Sequence, residues 1–341
     1  MLNLTSKLKT YIRLRNKSGR KLNNTELNKK IYLAGHTGMV GSAILRRLKN
    51  DGYTNILTKD ISGLDLLRQN YVEAFFANEK PDVVIIAAAK VGGILANDTY
   101  RAQFIYENLM IESNLIHSSY ENGVKKVIFL GSSCIYPKLA PQPLKEEYLL
   151  SDYLESTNEP YAIAKIAGIK LCENYYRQYG CNFYSVMPTN MYGFYDNFNL
   201  ETSHVLPALI RKVHDAKISG SPNVTIWGTG TPLREFLYVD DLTDAIVFLM
   251  ENINAKDIYD QGISMLNIGY GEDISILDVT KLICEIIGFK GEIINDITKP
   301  DGTPRKLLDI SRIKNLGWER KTSLRDGIEK TYKWFLENFK S

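Results

Sequence analysis

Cysteine and histidine are both scarce in this chain, with four of each among 341 residues. Cys134, Cys172, Cys181 and Cys284 show no CxxC spacing and no disulfide framework, and the histidines are scattered. That scarcity excludes a disulfide- or zinc-stapled scaffold and points to a reduced protein without a metal site, expected in the cytoplasm. Long apolar runs are missing too. The longest stretches, such as Val83-Val-Ile-Ile-Ala-Ala-Ala89, are too short to span a bilayer and suit a buried parallel strand, so no membrane partner is expected. No internal repeat or low-complexity segment occurs.

Acidic residues are nearly absent from the first 30 positions, where nine Lys/Arg stand against Glu26 and the local charge is +8. The segment lacks an apolar h-region and so does not read as a secretory signal. Its Arg-rich, acid-poor character resembles a transit peptide only faintly. Residues 1–28 read as a basic, flexible extension. The remaining chain is net acidic, since the whole carries only +3, and nucleic acid is not an expected partner. With 44% hydrophobic residues, the chain has enough apolar material for one large α/β unit or two domains.

What the sequence does contain is strands alternating with helices. Lys30–Ala34 reads as a first strand, Ser42–Leu48 as a helix, and Ile56-Leu57 as the start of a second strand. A helix over Asn70–Asn78 precedes a strand over Asp82–Ala88. A long helix from about Ile105 to Glu121, a strand Val127–Leu130, a helix through Tyr161 to Tyr179 and a strand Phe183–Met187 follow. This order implies a doubly wound parallel sheet with right-handed crossovers, a Rossmann arrangement. Gly35, Ala89, Ser132 and Pro188 each follow a predicted strand, so their loops are expected at one sheet edge, where ligands bind in such folds. After Gly193 the pattern loosens into a helix near Val205–Ala216, strands Val224–Trp227, Glu235–Val239 and Met265–Ile268, and a smaller C-terminal α/β cap. The expected division is 29–192 plus returns near 235–270 for the nucleotide domain, with 193–234 and 271–341 mainly in the cap.

Three groups of residues carry chemistry. Gly35-His-Thr-Gly-Met-Val-Gly41 links a strand to a helix as Gly-x-x-Gly-x-x-Gly, letting backbone approach a pyrophosphate at the helix N-terminus. Thr58-Lys59-Asp60 ends the second strand. An acidic residue there favours the NAD ribose and a basic one the NADP phosphate, and spacing does not choose between them. Tyr161-Ala-Ile-Ala-Lys165 places phenol and ammonium one helical turn apart, so the tyrosine is expected to titrate below its ordinary value near 10 and to exchange a proton with a carbonyl oxygen. Ser132 and Ser133 follow a buried strand and read either as turn formers or as hydroxyl donors to that carbonyl. A lone Cys134 is more often a small core residue, and a lone His204 a helix-start residue.

These motifs, in order, resemble the extended short-chain dehydrogenase/reductases. The resemblance runs from about Lys30 to Phe339. It is carried by Ala34–Ser42, Ala87-Ala-Ala-Lys-Val-Gly-Gly-Ile94, Leu130-Gly-Ser-Ser-Cys-Ile-Tyr-Pro-Lys138 and Asn158–Lys170. Val186-Met-Pro-Thr-Asn190, Gly230-Thr-Pro-Leu-Arg-Glu-Phe236 and Lys299-Pro-Asp-Gly-Thr-Pro-Arg-Lys306 extend it. It implies NADP(H) as cofactor and a GDP-sugar as substrate. The implied reaction is epimerisation at C3 and C5 and reduction at C4 of GDP-4-keto-6-deoxy-D-mannose, giving GDP-L-fucose. In it Tyr161 is the acid of reduction, Lys165 its partner and a ribose ligand, and Ser132 positions the carbonyl. Cys134 and His204 are the epimerising pair. The cofactor positions are Gly35, Thr37, Gly38, Met39, Val40, Gly41 and Lys59, then Leu130, Gly131, Ser132 and Ser133, Lys165, the run Pro188, Thr189, Asn190 and Met191, and His204. Asn190, Lys212, Trp227, Arg234, Asp301 and Lys306 are implied to hold the sugar nucleotide. No metal is implied, and a homodimer through two long helices is. Thr37 and Lys212 stand where close relatives carry arginine. Two rival readings are a reductase or epimerase of another GDP-keto-sugar, such as a 6-deoxy-4-keto-heptose, and a silent dinucleotide-binding scaffold.

Overall fold

In a computed structural model, which describes residues 24–299 and 301–339, the apolar runs become the middle of a six-stranded parallel sheet. Most of the basic extension read from the sequence, residues 1–23, lies outside the described residues. From one edge to the other, the strands are Leu266–Ile268, Phe183–Pro188, Lys126–Leu130, Val83–Ile86, Ile31–Ala34 and Ile56-Leu57. Ile31–Ala34 and Val83–Ile86 are buried throughout, as strands covered by helices on both faces must be. Helix Met39–Asn50 packs against Val239–Asn252, and helix Arg101–Glu121 lies along Glu159–Tyr179. Pro160 in the first turn and Gly180, left-handed at φ 71°, bracket that last helix. Among the described residues no helix is long and apolar enough to cross a membrane.

Register brings the strand ends level: Ala34 lies beside Ile86, Ile86 beside Phe129, and Leu130 beside Val186. The loops beginning at Gly35, Ala87, Gly131 and Thr189 therefore open on one edge. Gly131 N–H donates to Val186 O and Thr189 N–H to Ile268 O, tying neighbouring loops together.

Two differences from the sequence reading are local. The strand expected over Glu235–Val239 divides into Leu233-Arg234 and Phe236–Tyr238, which pair with different strands. The side chain of Glu235, between them, turns into the protein. The long helix is preceded by a separate short one, Ile94–Thr99, with a break at Tyr100. A second apolar cluster, built on Leu209, Val213, Ile226, Ile283 and Phe335, underlies helices Val205–Ser219, Ile276–Ile287 and Leu324–Asn338 and strand Asn223–Trp227. Leu308, Ile310, Ile313 and Trp318 instead join the core of the large sheet, so the 271–341 segment serves both clusters.

The loop after Gly193 holds a carboxylate under strain of solvation. Asp196 Oδ1 accepts the Asn197 N–H, whereas Oδ2 is buried without a partner among the described residues. Burial pushes this carboxyl up to about 7. A folded-state value above the unfolded one, near 4, means that its contribution is fully present below pH 4 and lost as pH rises through 7. Urea unfolding should therefore show wild type losing stability between pH 4 and 7 relative to Asp196→Asn. Parallel curves would refute this.

Candidate active site

The crevice begins at the glycine turn. Gly35 sits at φ +86°, and a Cβ there would come within 2.6 Å of Ala88 N. A Cβ on Gly41 would meet Gly35 O at 2.0 Å, so the helix can start here only without side chains. Around Gly38 the nearest such contact is 3.7 Å, leaving space above the turn. The Met39–Asn50 helix has neither a side-chain cap nor an acidic residue in its first turn. Its positive N-terminal end thus faces the crevice uncompensated, a setting that fits a pyrophosphate.

At Lys59-Asp60 the two side chains differ in their local bonding. Asp60 accepts Ser62 Oγ at 2.7 Å and Gly63 N–H at 2.9 Å, and these bonds hold its carboxyl below the usual range. Both bonds fall on Oδ1 and tie that oxygen to its own turn. Lys59 is exposed with no such partner among the described residues, and Thr37 is exposed in the glycine loop. A basic residue thus stands exposed and, among the described residues, unpaired at the strand end, beside an acid half engaged by its own loop.

At the middle of the edge, Ser132 caps a short turn, Ser133–Ile135, and its Oγ accepts Cys134 N–H at 3.3 Å. The same hydroxyl hydrogen-bonds to Tyr161. Tyr161 packs edge-on against Phe104 with ring centroids 6.4 Å apart. Lys165 donates to Leu130 O at 3.1 Å and lies 5.9 Å from the Tyr161 ring centre. The expected lowering of Tyr161 is not what these surroundings give. Burial pushes its hydroxyl up, the nearby Cys134 adds to this, and the Ser132 bond only partly offsets it. The Lys165 ammonium is directed at Leu130 O rather than at the phenol, and burial lowers it in turn. Tyr161 is therefore a donor that keeps its proton until negative charge develops on an acceptor.

Lys306 Nζ lies 3.6 Å from Cys134 Sγ. His204, an exposed residue, caps the N-terminus of helix Val205–Ser219, and desolvation of its ring followed by the Lys306 charge holds its imidazole below the usual value. Lys306 thus neighbours both. The Gly92-Gly93 loop bridges the two sides: a Cβ at Gly92 would touch the Phe104 ring, while Gly93 N–H donates to Thr202 O. Farther out, Trp227 is half exposed, with Lys212 and Lys299 ammonium groups 5.4 and 5.7 Å from its ring centre. Asp301 accepts Thr229 N–H at 2.7 Å and its hydroxyl at 2.9 Å. Burial lowers Arg234, and Asp301 opposes that shift.

Residues 31–269 match the sequence profile of the NAD dependent epimerase/dehydratase family. The chain belongs to this family. It is 57% identical to GDP-L-fucose synthase 1 of Arabidopsis thaliana, over 91% of this chain and 94% of that protein. It is 53% identical to the Escherichia coli GDP-L-fucose synthase, over 91% and 97% respectively. Among solved structures, a GDP-mannoheptose C4 reductase from Campylobacter jejuni with NADP bound superposes with a TM-score of 0.84. That enzyme shares 41% identity over 91% of this chain and 99% of its own.

Within this member of the epimerase/dehydratase family, Ser132, Cys134, Tyr161 and Lys165 come together at the sheet edge, and Lys306 joins them. The sequence grouped Lys306 with the sugar-nucleotide residues, whereas its ammonium is directed at the thiol. Asn190 Nδ2 donates to Glu235 O, so its amide is part of the loop scaffold. Lys299, beside Trp227, stood inside a quoted motif but went unremarked. Glu235, which accepts Gly271 and Leu308 N–H, likewise lay inside the Gly230–Phe236 motif. Its signal was an acidic residue set between Arg234 and the apolar run Phe236-Leu-Tyr-Val239.

Proposed function

We propose that this chain carries out NADPH-dependent epimerisation at C3 and C5 and reduction at C4 of GDP-4-keto-6-deoxy-D-mannose, yielding GDP-L-fucose. The observation that carries the reading is Cys134 beside both Lys306 and the Ser132–Tyr161 pair, at the mouth of a glycine-turn crevice. The Gly35–Gly41 amides would hold the pyrophosphate, Lys59 the 2′-phosphate and Lys165 the nicotinamide ribose. When bound, NADPH supplies the hydride that reaches C4.

The protein's part is proton handling. The C4 ketone acidifies the protons on C3 and C5. Cys134, beside the Lys306 ammonium, takes such a proton, and His204 returns one to the other face of the carbon, inverting it. Tyr161 Oη then delivers its proton to the C4 oxygen, held by Ser132 Oγ. Lys212, Lys299 and Arg234 supply positive charge for the GDP diphosphate, and Trp227 offers a flat surface for the nucleotide. All four cysteines are free, which suits the reducing cytoplasm. Exposed Tyr106 and Ile163 on the paired helices Arg101–Glu121 and Glu159–Tyr179 support a homodimer through that face.

The test is NADPH oxidation with GDP-4-keto-6-deoxy-D-mannose, followed by NMR of the product formed in deuterated water. Stoichiometric oxidation with deuterium at C3 and C5 is expected. Likeness to the heptose reductase favours one alternative, a reductase of another GDP-keto-sugar. That alternative would give oxidation without deuterium, or turnover only with the heptose substrate.

A further inference from the structure

Beside Lys165 lies a carboxylate that the chemistry above does not use. Glu112, midway along helix Arg101–Glu121, is 1% exposed, and neither of its oxygens has a hydrogen-bond partner among the described residues. Lys165 Nζ, itself 2% exposed, stands 4.0 Å from Glu112 Oε2. A glycine makes the room: a Cβ at Gly168 would come within 2.9 Å of Glu112 Cδ and 2.5 Å of the Phe129 ring. On the Glu159–Tyr179 helix, Lys165 therefore lies between Tyr161, one turn earlier, and the turn against which Glu112 packs.

An ionised carboxylate without hydrogen bonds is costly to bury, and an apolar side chain would fill the same helix–helix contact without that cost. Burial pushes the Glu112 carboxyl up, with Lys165 pulling it back, and the same burial lowers Lys165, which Glu112 supports. Lys165 is the charged group acting on this carboxylate. Tyr161 and Cys172 on the same helix also feel Glu112, and the Lys126–Leu130 strand presents the Phe129 ring.

We propose that Glu112 is a positioning residue for the reduction step, holding the Lys165 ammonium charged and in line with Leu130 O and Tyr161. The kinetic part rests on the reductase reading; the pairing itself does not.

Four proteins test it: wild type, Glu112→Gln, Lys165→Met and the double variant. Lys165→Met strands a buried carboxylate, so its Tm should fall, and adding Glu112→Gln should recover much of that loss. A double variant no more stable than Lys165→Met alone would overturn the pairing, whether or not any substrate is turned over. In Glu112→Gln, kcat for reduction should fall at least about tenfold, within the range for proton-transfer machinery, while KM for the sugar nucleotide stays nearly constant. Deuterium exchange at C3 and C5 should continue near the wild-type rate. The basic limb of the kcat–pH profile should move down by about one pH unit, because the ammonium has lost its counter-charge. Glu112→Asp, which keeps the charge, should recover part of kcat, and it carries the kinetic test if the glutamine variant does not fold. Loss of exchange and reduction in parallel, or an unmoved pH limb, would overturn the proposal. Absence of wild-type turnover would instead count against the reductase reading.

Discussion

Tyr161→Phe is expected to slow C4 reduction by about 10²–10⁴-fold, the usual range for removing a positioned proton donor. The variant keeps the ring that packs edge-on against Phe104 and loses only the hydroxyl bonded to Ser132. NADPH affinity, measured by fluorescence titration, should therefore change little. Exchange at C3 and C5 should also persist, because Cys134 and His204 remain. The size of the effect follows from burial. Burial holds the phenol above its ordinary value, so it keeps its proton for the C4 oxygen, and a phenylalanine ring has none to give. Wild-type turnover in this variant would remove Tyr161 from its assigned role.

Cys134→Ser is the complementary experiment, and its expected effect is on exchange rather than on hydride consumption. The substitution changes sulfur to oxygen at nearly constant shape. Lys306 keeps a polar neighbour, but a serine hydroxyl is a far weaker acid than a thiol and a poorer proton acceptor when called on to act as a base. Deuterium incorporation at C3 and C5 should fall by at least about 10²-fold, while NADPH is still consumed with any keto-sugar the site accepts. The product would then carry a reduced C4 without inversion at its neighbours. Undiminished exchange would place the proton abstraction on another group.

The sheet was legible because its strands are short, apolar and punctuated by glycine, proline and asparagine. Val83–Ile86 and Phe183–Pro188 each lie inside or within a residue of the expected spans. The crevice was legible for the same reason, since its loops are the segments that follow those strands. What the sequence hid was side-chain aim. Lys306 sits in a motif rich in charge, and only the pairing of Arg305-Lys306 with Leu233-Arg234 turns it toward Cys134. Asp60 and Lys59 are adjacent in sequence, so spacing could not rank them, and only the Ser62 and Gly63 bonds to Asp60 Oδ1 set their surroundings apart. The Tyr161 shift had the wrong sign in the sequence reading for a similar reason. Four-residue spacing gives proximity along a helix, but desolvation depends on Phe104 and the strand ends, which are remote in sequence. Glu112 gave no signal at all, since a glutamate in a long helix ordinarily faces water.

One feature of the sheet sets an order on how the protein can be made. The edge strand Leu266–Ile268 pairs with Phe183–Pro188, yet the intervening chain of nearly 80 residues supplies helix Val205–Ser219 and strand Asn223–Trp227 of the second cluster. At a ribosome delivering about 5–20 residues per second, Phe183–Pro188 therefore waits several seconds with its outer hydrogen-bonding row uncovered. Throughout that interval the nascent chain presents a buried-type apolar strand as an open edge, a template for pairing with another chain. Chains stalled or truncated between residues 188 and 266 should accordingly be the aggregation-prone species in any expression host.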